Sequence, residues 1–357
     1  MGKVPIGGGH PIVVQTMCNT HTNDVEGTVA QCIRMAEAGA ELIRITVPGL
    51  PEVEPLREIR DRLRAAGVDT PLVADIHFSA ETAIAAAAVV EKVRINPGNF
   101  HRDHGKARTL FARFIAVCKE HGTAVRVGLN HGSLGEYITN LYGNTPLAMA
   151  KAAMEWLEMC IGNDFYDVVV SLKASNTPVM VEAYRRLSQM MQERGVVFPV
   201  HVGVTEAGNG DAGRIKSCVG ISTLLSEGIG DTVRVSLTDA PENEVRVGLA
   251  VLRSLGLREP GPDVTSCPTC GRTMCDLIGT ARRAEDALER LYRGEPGLKR
   301  LHVAVMGCVV NGPGEARDAD LALVGGPGCF YLYRRGVRGE KLAEADAVPA
   351  LVEAVRR

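Results

Sequence analysis

Three cysteines and one glutamate near the end of the chain are of the types that hold iron–sulfur clusters. Cys267 and Cys270 form a Cys-x-x-Cys pair, Cys308 stands alone further on, and Glu315 ends the run Gly-Cys-Val-Val-Asn-Gly-Pro-Gly-Glu. Thiolates are the usual ligands of such clusters. A carboxylate is a harder and more labile ligand, so it can leave one iron open to a substrate. The spacing therefore favours a cluster that does chemistry on a substrate.

Two other kinds of site also use a Cys-x-x-Cys pair. Structural zinc sites usually add a second such pair or a Cys/His pair, which is missing here, and a redox-active dithiol needs no third cysteine. Cys275 and Cys329 could also complete an all-thiolate cluster. The spacing thus favours a cluster over zinc or a dithiol, but it does not choose between Glu315 and these two cysteines.

Basic residues end five of the short apolar runs in the first 240 residues. They are Arg44, Arg94, Arg126, Lys173 and Arg234. Any one of them is equally well explained by an ion pair with a neighbouring loop. Five positive charges on one rim, however, would repel one another and lose solvation unless a polyanion lay among them. Because the arginine fork matches phosphate oxygens, the set predicts a diphosphate site.

Polar and acidic residues at the ends of the same runs can complete this site. Neutral side chains that could bind phosphate or substrate hydroxyls are Asn96, Asn130, Thr205 and Ser236. Glu206 is predicted to donate or accept a proton, because carboxylates near cations and a ligand are where pKa values are tuned. The alternative is an ion pair with Lys173 or Arg234. Asp75 is predicted to orient His77 or an arginine.

The elements that must position these residues alternate between strands and helices. Short β-branched or apolar runs predict strands at 12–16, 42–47, 72–75, 93–96, 124–129, 168–172, 200–204 and 233–236. Longer amphipathic stretches predict helices at 24–38, 52–66, 80–90, 105–121, 146–163, 178–194, 211–227 and 242–254. This is the pattern of βα units and a parallel sheet. Eight such strands close a (β/α)₈ barrel, whose catalytic face lies at the carboxyl ends of the strands.

The alternative architecture is a doubly wound open sheet. It would require a Gly-x-Gly-x-x-Gly turn after the first strand, whereas the glycine run at 7–9 precedes that strand. We therefore predict a TIM barrel at 1–260 that binds the diphosphate substrate. The composition of 258–262 is that of a linker. It is followed by a small α/β domain at 261–357 that binds the cluster.

Composition excludes several classes of function. A net charge of −2, a pI near 6.5 and one tryptophan offer no basic field or stacking surface for nucleic acid. Ten cysteines without a secretory signal indicate reduced thiols rather than a disulfide framework. No apolar run approaches the roughly 18 residues of a membrane span. The sequence predicts a cytoplasmic protein with a small-molecule substrate.

Several blocks of the chain, in order, resemble the 4-hydroxy-3-methylbut-2-enyl diphosphate synthases of the non-mevalonate isoprenoid pathway. They include Cys-Pro-Thr-Cys at 267–270, Gly-Cys-Val-Val-Asn-Gly-Pro-Gly-Glu at 307–315, Val-Ala-Asp-Ile-His-Phe at 73–78, Arg-Ile-Asn-Pro-Gly-Asn at 94–99, Lys-Ala-Ser at 173–175 and Val-Thr-Glu-Ala-Gly at 204–208. The resemblance extends across nearly the whole chain.

The resemblance implies an oxidoreductase. It would open 2-C-methyl-D-erythritol 2,4-cyclodiphosphate, reduce it by two electrons and release water, giving 4-hydroxy-3-methylbut-2-enyl diphosphate. A flavodoxin or ferredoxin would deliver the electrons one at a time to a 4Fe–4S cluster. The implied cluster ligands are Cys267, Cys270, Cys308 and Glu315. The implied substrate site comprises Arg44, Arg94, Arg126, Asn130, Lys173, Thr205, Arg234, Ser236 and Asn311, with Glu206 as the acid–base group.

The resemblance also implies an assembly. The segment 128–175 looks like the longer, three-domain form of the family, but the gap between Ser254 and Cys267 leaves no room for an extra domain. The two-domain form implies a head-to-tail homodimer in which each cluster domain covers the partner's barrel. Two rival hypotheses remain: a pteroate-synthase-like barrel transferase with structural zinc, and a non-enzymatic iron–sulfur sensor.

Overall fold

The structure is a computed structural model that describes residues 1–101, 103–258, 263–295 and 297–357. It divides the chain into two compact units, of which the first is Met1–Arg258 and the second contains the described residues that follow. The predicted linker and domain boundary near residue 260 fall mostly on 259–262, outside the described residues. The domain limits and their assigned roles therefore stay predictions.

A parallel sheet of eight strands forms the centre of the first unit, as far as the described residues extend. Its strands are β1 Val13–Met17, β2 Leu42–Thr46, β3 Leu72–Ile76, β4 Lys92–Ile95, β5 Ala124–Asn130, β6 Val168–Lys173, β7 His201–Val202 and β8 Thr232–Val233. They pair in the order β6-β5-β4-β3-β2-β1-β8-β7. A parallel bridge between Val170 and Val200 joins the two ends of this order. The predicted (β/α)₈ barrel and its strands are confirmed, although β7 and β8 are shorter than predicted.

The helices surround this sheet. They are α1 Val25–Glu37, α2 Val53–Ala65, α3 Ala80–Ala87, α4 His104–His121, α5 Glu136–Tyr142, α6 Pro146–Gly162, α7 Thr177–Arg194, α8 Gly210–Ser226 and α9 Pro241–Ser254. Single 3₁₀ turns follow β2, β4 and β5 at Leu50–Glu52, Pro97–Asn99 and His131–Ser133. The predicted helices are confirmed. The short α5 was not predicted, because seven residues are too few to show a helical period.

Side chains at the helix starts explain where several helices begin. Ser79, Asp103 and Asn176 each accept a hydrogen bond from the backbone N–H three residues further on. Such N-caps satisfy donors that the first helical turn leaves unpaired. They fix the loops that leave β3, β4 and β6, and these loops lie at the carboxyl end of the barrel.

The start of the chain packs against the other end of the barrel. Met1, Val4 and Ile6 pack against Val13 and Leu42 inside the lower rim. Each fully buried aliphatic side chain of this kind contributes roughly 1.5–3 kcal/mol. The start of the chain therefore adds to the packing at the amino-terminal end of the barrel, opposite the end that carries the predicted site.

The second unit is a small α/β domain, as predicted. Its strands are β9 Asp263–Ser266, β10 His302–Met306, β11 Leu321–Gly326, β12 Cys329–Arg334 and β13 Val337–Ala343. Its helices are α10 Leu277–Gly294, α11 Gly312–Asp318 and α12 Glu344–Arg356. β9, β10 and β11 are parallel, whereas β12 and β13 are antiparallel to their neighbours. α10 and α12 pack on one face of the sheet and α11 on the other.

None of the described helices is long and apolar enough to cross a membrane. The predicted cytoplasmic location stays a prediction.

Candidate active site

The predicted cations converge inside the carboxyl half of the barrel. They come from β2, β4, β5, the end of β6 and the residue after β8, and they are Arg44, Arg94, Arg126, Lys173 and Arg234. The first four are buried and Arg234 is half-buried. Each of the four arginines adds to the effect of burial in lowering the pKa of Lys173, so all five charges lie within reach of one another.

Burial is the main factor that disfavours the charged forms of these side chains. It lowers the pKa of Arg44 to about 10 and holds the pKa values of Arg126 and Lys173 well below their usual range, and the neighbouring arginines lower all three further. Desolvated like charges are costly unless a counter-charge is present. A multiply charged anion bound among them would remove this cost.

Asp75 is the carboxylate that links these cations. It accepts a hydrogen bond of 2.9 Å from Arg94 Nη1, and its Oδ2 lies 3.5 Å from both Arg44 Nε and His77 Nε2. Burial by itself would raise the pKa of Asp75, but Arg44 and Arg94 outweigh it and hold that pKa well below its usual range. His77 Nε2 also lies 2.7 Å from Arg94 Nη1. The predicted role of Asp75 in orienting a histidine or an arginine is confirmed.

Glycines allow two of the cations to fit. Arg94 Nη2 donates to the carbonyl oxygen of Gly128 at 2.8 Å, and a Cβ atom on Gly128 would lie only 2.5 Å from Arg94 Nε. A Cβ atom on Gly203 would similarly lie 3.1 Å from Lys173 Nζ and 2.3 Å from the Arg234 carbonyl oxygen. Side chains at these two positions would displace the cations.

Glu244 is a site residue that sequence reasoning missed. It lies in the first turn of α9 and is only 3% exposed. Its carboxylate accepts hydrogen bonds from Arg234 Nε and Nη2, both at 3.2 Å, from Thr16 Oγ1 at 3.0 Å and from the Leu237 backbone N–H at 3.0 Å. This carboxylate fixes the direction of the Arg234 side chain. An acidic first turn is common at helix starts, so the sequence contained no specific indication of this role.

Glu206 follows β7 on an exposed loop, with a left-handed backbone (φ 52°). The alternative hypothesis of an ion pair with Lys173 or Arg234 is wrong. Arg234 is paired with Glu244, and Lys173 Nζ has no hydrogen-bond partner among the described residues. The predicted neutral residues Thr205 and Ser236 are half-buried at neighbouring strand ends, and Asn130 lies opposite Lys173 in the register of β5 and β6.

The second unit brings the predicted thiols to one edge of its sheet. Cys267 follows β9 and Cys308 follows β10, and the two strands are parallel with Ser266 opposite Val305. Cys270 is exposed in the turn that follows Cys267. Glu315 is in the first turn of α11, and Asn311 is the residue before that helix. The predicted ligands are therefore all on loops or a helix start at the carboxyl ends of β9 and β10.

The donors at this end of the sheet are of the types that bind an iron–sulfur cluster. Backbone N–H groups of Asn311 and Val310 lower the pKa of Cys308, and a metal ligand must be a thiolate. By contrast, burial raises the pKa of Cys275 to about 11, and its Sγ lies 3.8 Å from the Gly307 carbonyl oxygen. Within the described part of the chain, no three His, Cys, Asp or Glu side chains are placed to hold one metal ion. In a four-iron cluster each protein ligand binds its own iron, so the donors need not meet at one point.

Fold and site together define a TIM-barrel protein with a group of cations at the carboxyl end of its barrel and a second, α/β unit with cysteines at the carboxyl ends of its parallel strands. The first unit matches the GcpE TIM-barrel domain over residues 1–249, and the second matches the GcpE protein C-terminal domain over residues 263–357. The chain therefore belongs to the GcpE family.

Curated relatives match the chain over its full length. A protein from Synechococcus sp. (strain CC9311) is 44% identical over 375 residues, which cover 100% of this chain and 92% of the relative. A protein from Thermosynechococcus vestitus is also 44% identical, with the same coverage. Both are named 4-hydroxy-3-methylbut-2-en-1-yl diphosphate synthase (ferredoxin). Among solved structures, a dihydropteroate synthase from Yersinia pestis gives a TM-score of 0.49 at 14% identity, covering 70% of this chain and 95% of that one.

Proposed function

We propose that the protein is a ferredoxin-dependent 4-hydroxy-3-methylbut-2-en-1-yl diphosphate synthase. It opens and reduces 2-C-methyl-D-erythritol 2,4-cyclodiphosphate with two electrons and releases water. Full-length relatives that carry this name support this function over the transferase and the sensor. The structural observation behind it is the group of five cations, four of them buried, for which the described residues provide Asp75 and Glu244 as the buried counter-charges.

The barrel binds the substrate through its diphosphate. Arg44, Arg94, Arg126, Lys173 and Arg234 contact the phosphate oxygens, since arginine forms paired charge-assisted hydrogen bonds with phosphate. Asn130, Thr205 and Ser236 bind the remaining oxygens and the substrate hydroxyls. Glu206 transfers a proton at the hydroxyl that leaves as water, because its carboxylate is exposed and makes no ion pair with the described residues.

The second unit holds a 4Fe–4S cluster through Cys267, Cys270, Cys308 and Glu315. When bound, this cluster supplies electrons one at a time to the substrate. Glu315 is the proposed fourth ligand, and Cys275 and Cys329 are the alternatives. Asn311, next to Cys308 in the same loop, contacts the substrate. Ferredoxin is the proposed electron donor, as in the names of the relatives, with flavodoxin as the alternative.

We further propose that the protein works as a homodimer in which each cluster domain serves the barrel of the other chain. The support for this is the short segment between the two units and the implied head-to-tail form of the family. In the part of the barrel that the structure describes, there are cations and a carboxylate at the carboxyl end but no group of residues that could hold a metal ion as an electron carrier.

Anaerobic purification followed by iron, sulfide and turnover measurements tests this function. Arg126→Ala and Arg234→Ala should each weaken binding of the cyclic diphosphate by about 1.5–3 kcal/mol, or roughly 10- to 150-fold, and should keep their iron. Cys308→Ser should lose iron but still bind the substrate. Arg113→Ala, an exposed arginine on α4, is the matched control and should change neither property. Zinc in place of iron, or iron loss in the two arginine variants, would contradict the proposal.

A further inference from the structure

A lysine that sequence reasoning missed lies in the barrel interior, below the cations of the site. Lys92 is the first residue of β4, two residues before Arg94, and in register it lies between Val73 of β3 and Ala124 of β5. Its side chain is 0% exposed, and Nζ has no hydrogen-bond partner among the residues the structure describes. Burial of an unpaired amine on a central strand has no structural benefit.

The groups around Lys92 make its position more costly. Arg126 on β5 and Arg44 on β2 both repel a charged amine there, and together with burial they hold the pKa of Lys92 well below its usual range. β6 contributes Lys173 and β7 contributes His201, whose pKa is lowered by burial and by Arg126, Lys173 and Lys92 in turn.

Among the described residues, the remaining strands offer Lys92 no free counter-charge. Asp75 on β3 contacts Arg94, Arg44 and His77. β1 contributes Gln15, and β8 contributes Thr232, whose hydroxyl lies 2.6 Å from His201 Nδ1. Neither of these last two side chains titrates. Without an anion, then, the lysine is surrounded mainly by positive charge.

A bound diphosphate reverses this balance. The cations that repel Lys92 are the ones that would be neutralised, and the negative charge of the ligand would itself favour a protonated amine nearby. Resting on the proposed function, we propose that Lys92 takes up a proton when the cyclic diphosphate binds, so that the protein captures its substrate together with a proton. Lys92 is thus a positioning residue that adjusts the charge of the site. It does not contact the ligand itself, because it lies two residues before Arg94 on β4, deeper in the barrel.

The test is isothermal titration calorimetry of the cyclic diphosphate with the full chain in the absence of reductant. Titrations in buffers of different ionisation enthalpy give the number of protons taken up, and the series is repeated from below to above neutral pH. The wild type should take up protons and bind more weakly as the pH rises. Lys92→Met should still bind, take up fewer protons, by up to about one per substrate, and show a flatter pH dependence. His201→Gln measures how much of the proton uptake is due to the His201 imidazole.

A second measurement separates this role from a structural one. Because methionine has a similar length and no charge, Lys92→Met should raise the melting temperature, and the increase should grow as the pH is lowered. Lys151→Met, at an exposed position on α6, is the control and should change neither the proton uptake nor the melting temperature. Equal proton uptake in the wild type and Lys92→Met, or a lower melting temperature for the variant, would overturn the inference. If the substrate binds without any proton uptake, the proposal for Lys92 is wrong but the proposed function stands. If the substrate does not bind at all, both are wrong.

Discussion

Glu206 has an unusual backbone for a residue of its type. A positive φ is uncommon for residues other than glycine, and it costs energy that the surrounding structure must supply. At φ 52° the residue directs an exposed carboxylate from the loop after β7, on the same barrel end as the cations. The strain is understandable if the carboxylate has to meet a ligand rather than a cation of the protein.

Glu206→Gln tests whether this carboxylate transfers a proton to the substrate. Glutamine keeps the shape and the hydrogen-bonding reach but cannot transfer a proton, so turnover should fall roughly 10²- to 10⁴-fold while the affinity for the cyclic diphosphate stays unchanged. Steady-state kinetics and calorimetry measure the two quantities. Glu120→Gln, at the exposed end of α4, should be unaffected in both. Near-normal turnover of Glu206→Gln would remove Glu206 from the acid–base role.

At the scale of elements, one carboxylate connects three neighbouring strands. Asp75 on β3 bonds to Arg94 on β4 and approaches Arg44 on β2. Glu244 does the same between α9, β1 and the end of β8. Both residues position arginines by joining elements that are adjacent in space, so the same ion pairs that hold the arginines of the proposed site also stabilise the barrel.

Asp75→Asn should therefore destabilise the barrel. Removing one partner of a buried ion pair leaves uncompensated charge and costs about 3–5 kcal/mol at neutral pH. Since the folded-state pKa of Asp75 is lowered, its stabilisation is complete above the unfolded-state pKa of about 3.9 and is lost as the pH falls through the folded-state pKa. The stability difference from wild type, measured by urea unfolding, should thus shrink in acid. Asp69→Asn, an exposed carboxylate near Lys3, should cost about 0–1 kcal/mol. A pH-independent difference would contradict the assigned charge state.

In the second unit, the parallel pairing of β9 and β10 puts Cys267 and Cys308 at the same end of the sheet, just beyond the carboxyl ends of two neighbouring strands. Glu315, on α11, is the proposed ligand that leaves an iron open to the substrate. Glu315→Cys should hold a cluster, because thiolate is the stronger ligand, and should turn over poorly, because that ligand does not leave. Iron analysis and turnover check this. If Cys275→Ser or Cys329→Ser instead strips the cluster while Glu315→Ala does not, the fourth ligand is a cysteine.

At the scale of the whole molecule, the proposed substrate site and the proposed cluster site belong to separate compact units. In a two-fold dimer with reciprocal contacts, each active site would take Glu206 from one chain and Cys308 from the other. Two inactive variants should then rescue each other.

Co-expression of Glu206→Gln with Cys308→Ser tests this arrangement. Purified heterodimers should contain one site with both lesions and one with neither, so they should recover up to about half of the wild-type activity. Separate tags on the two chains allow the heterodimer to be isolated. Heterodimers as inactive as either parent would mean that each site is built within a single chain.

Much of this organisation was predictable because it depends on short-range patterns. The alternation of apolar strands and amphipathic helices gave the barrel, and a parallel barrel brings all its carboxyl strand ends to one rim whatever the details of packing. Arg44, Arg94, Arg126, Lys173 and Arg234 could therefore be predicted to lie together without knowing any contact. The Cys-x-x-Cys pair and the run that ends at Glu315 were likewise visible as spacing.

The tertiary structure decided which charges pair. Glu244 is ten residues after Arg234 in the sequence, but the spacing does not show that its side chain turns back to that guanidinium; the packing of α9 beside β1 and β8 decides this, and Glu244 rather than Glu206 pairs with Arg234. Lys92 stands just before the strand that the sequence predicts at 93–96, and only the structure places it at the start of β4 with a fully buried side chain near Arg126. Sequence spacing specifies which residues reach the rim, because strand direction is local. Burial and pairing depend on which surfaces meet, and that is a property of the folded chain.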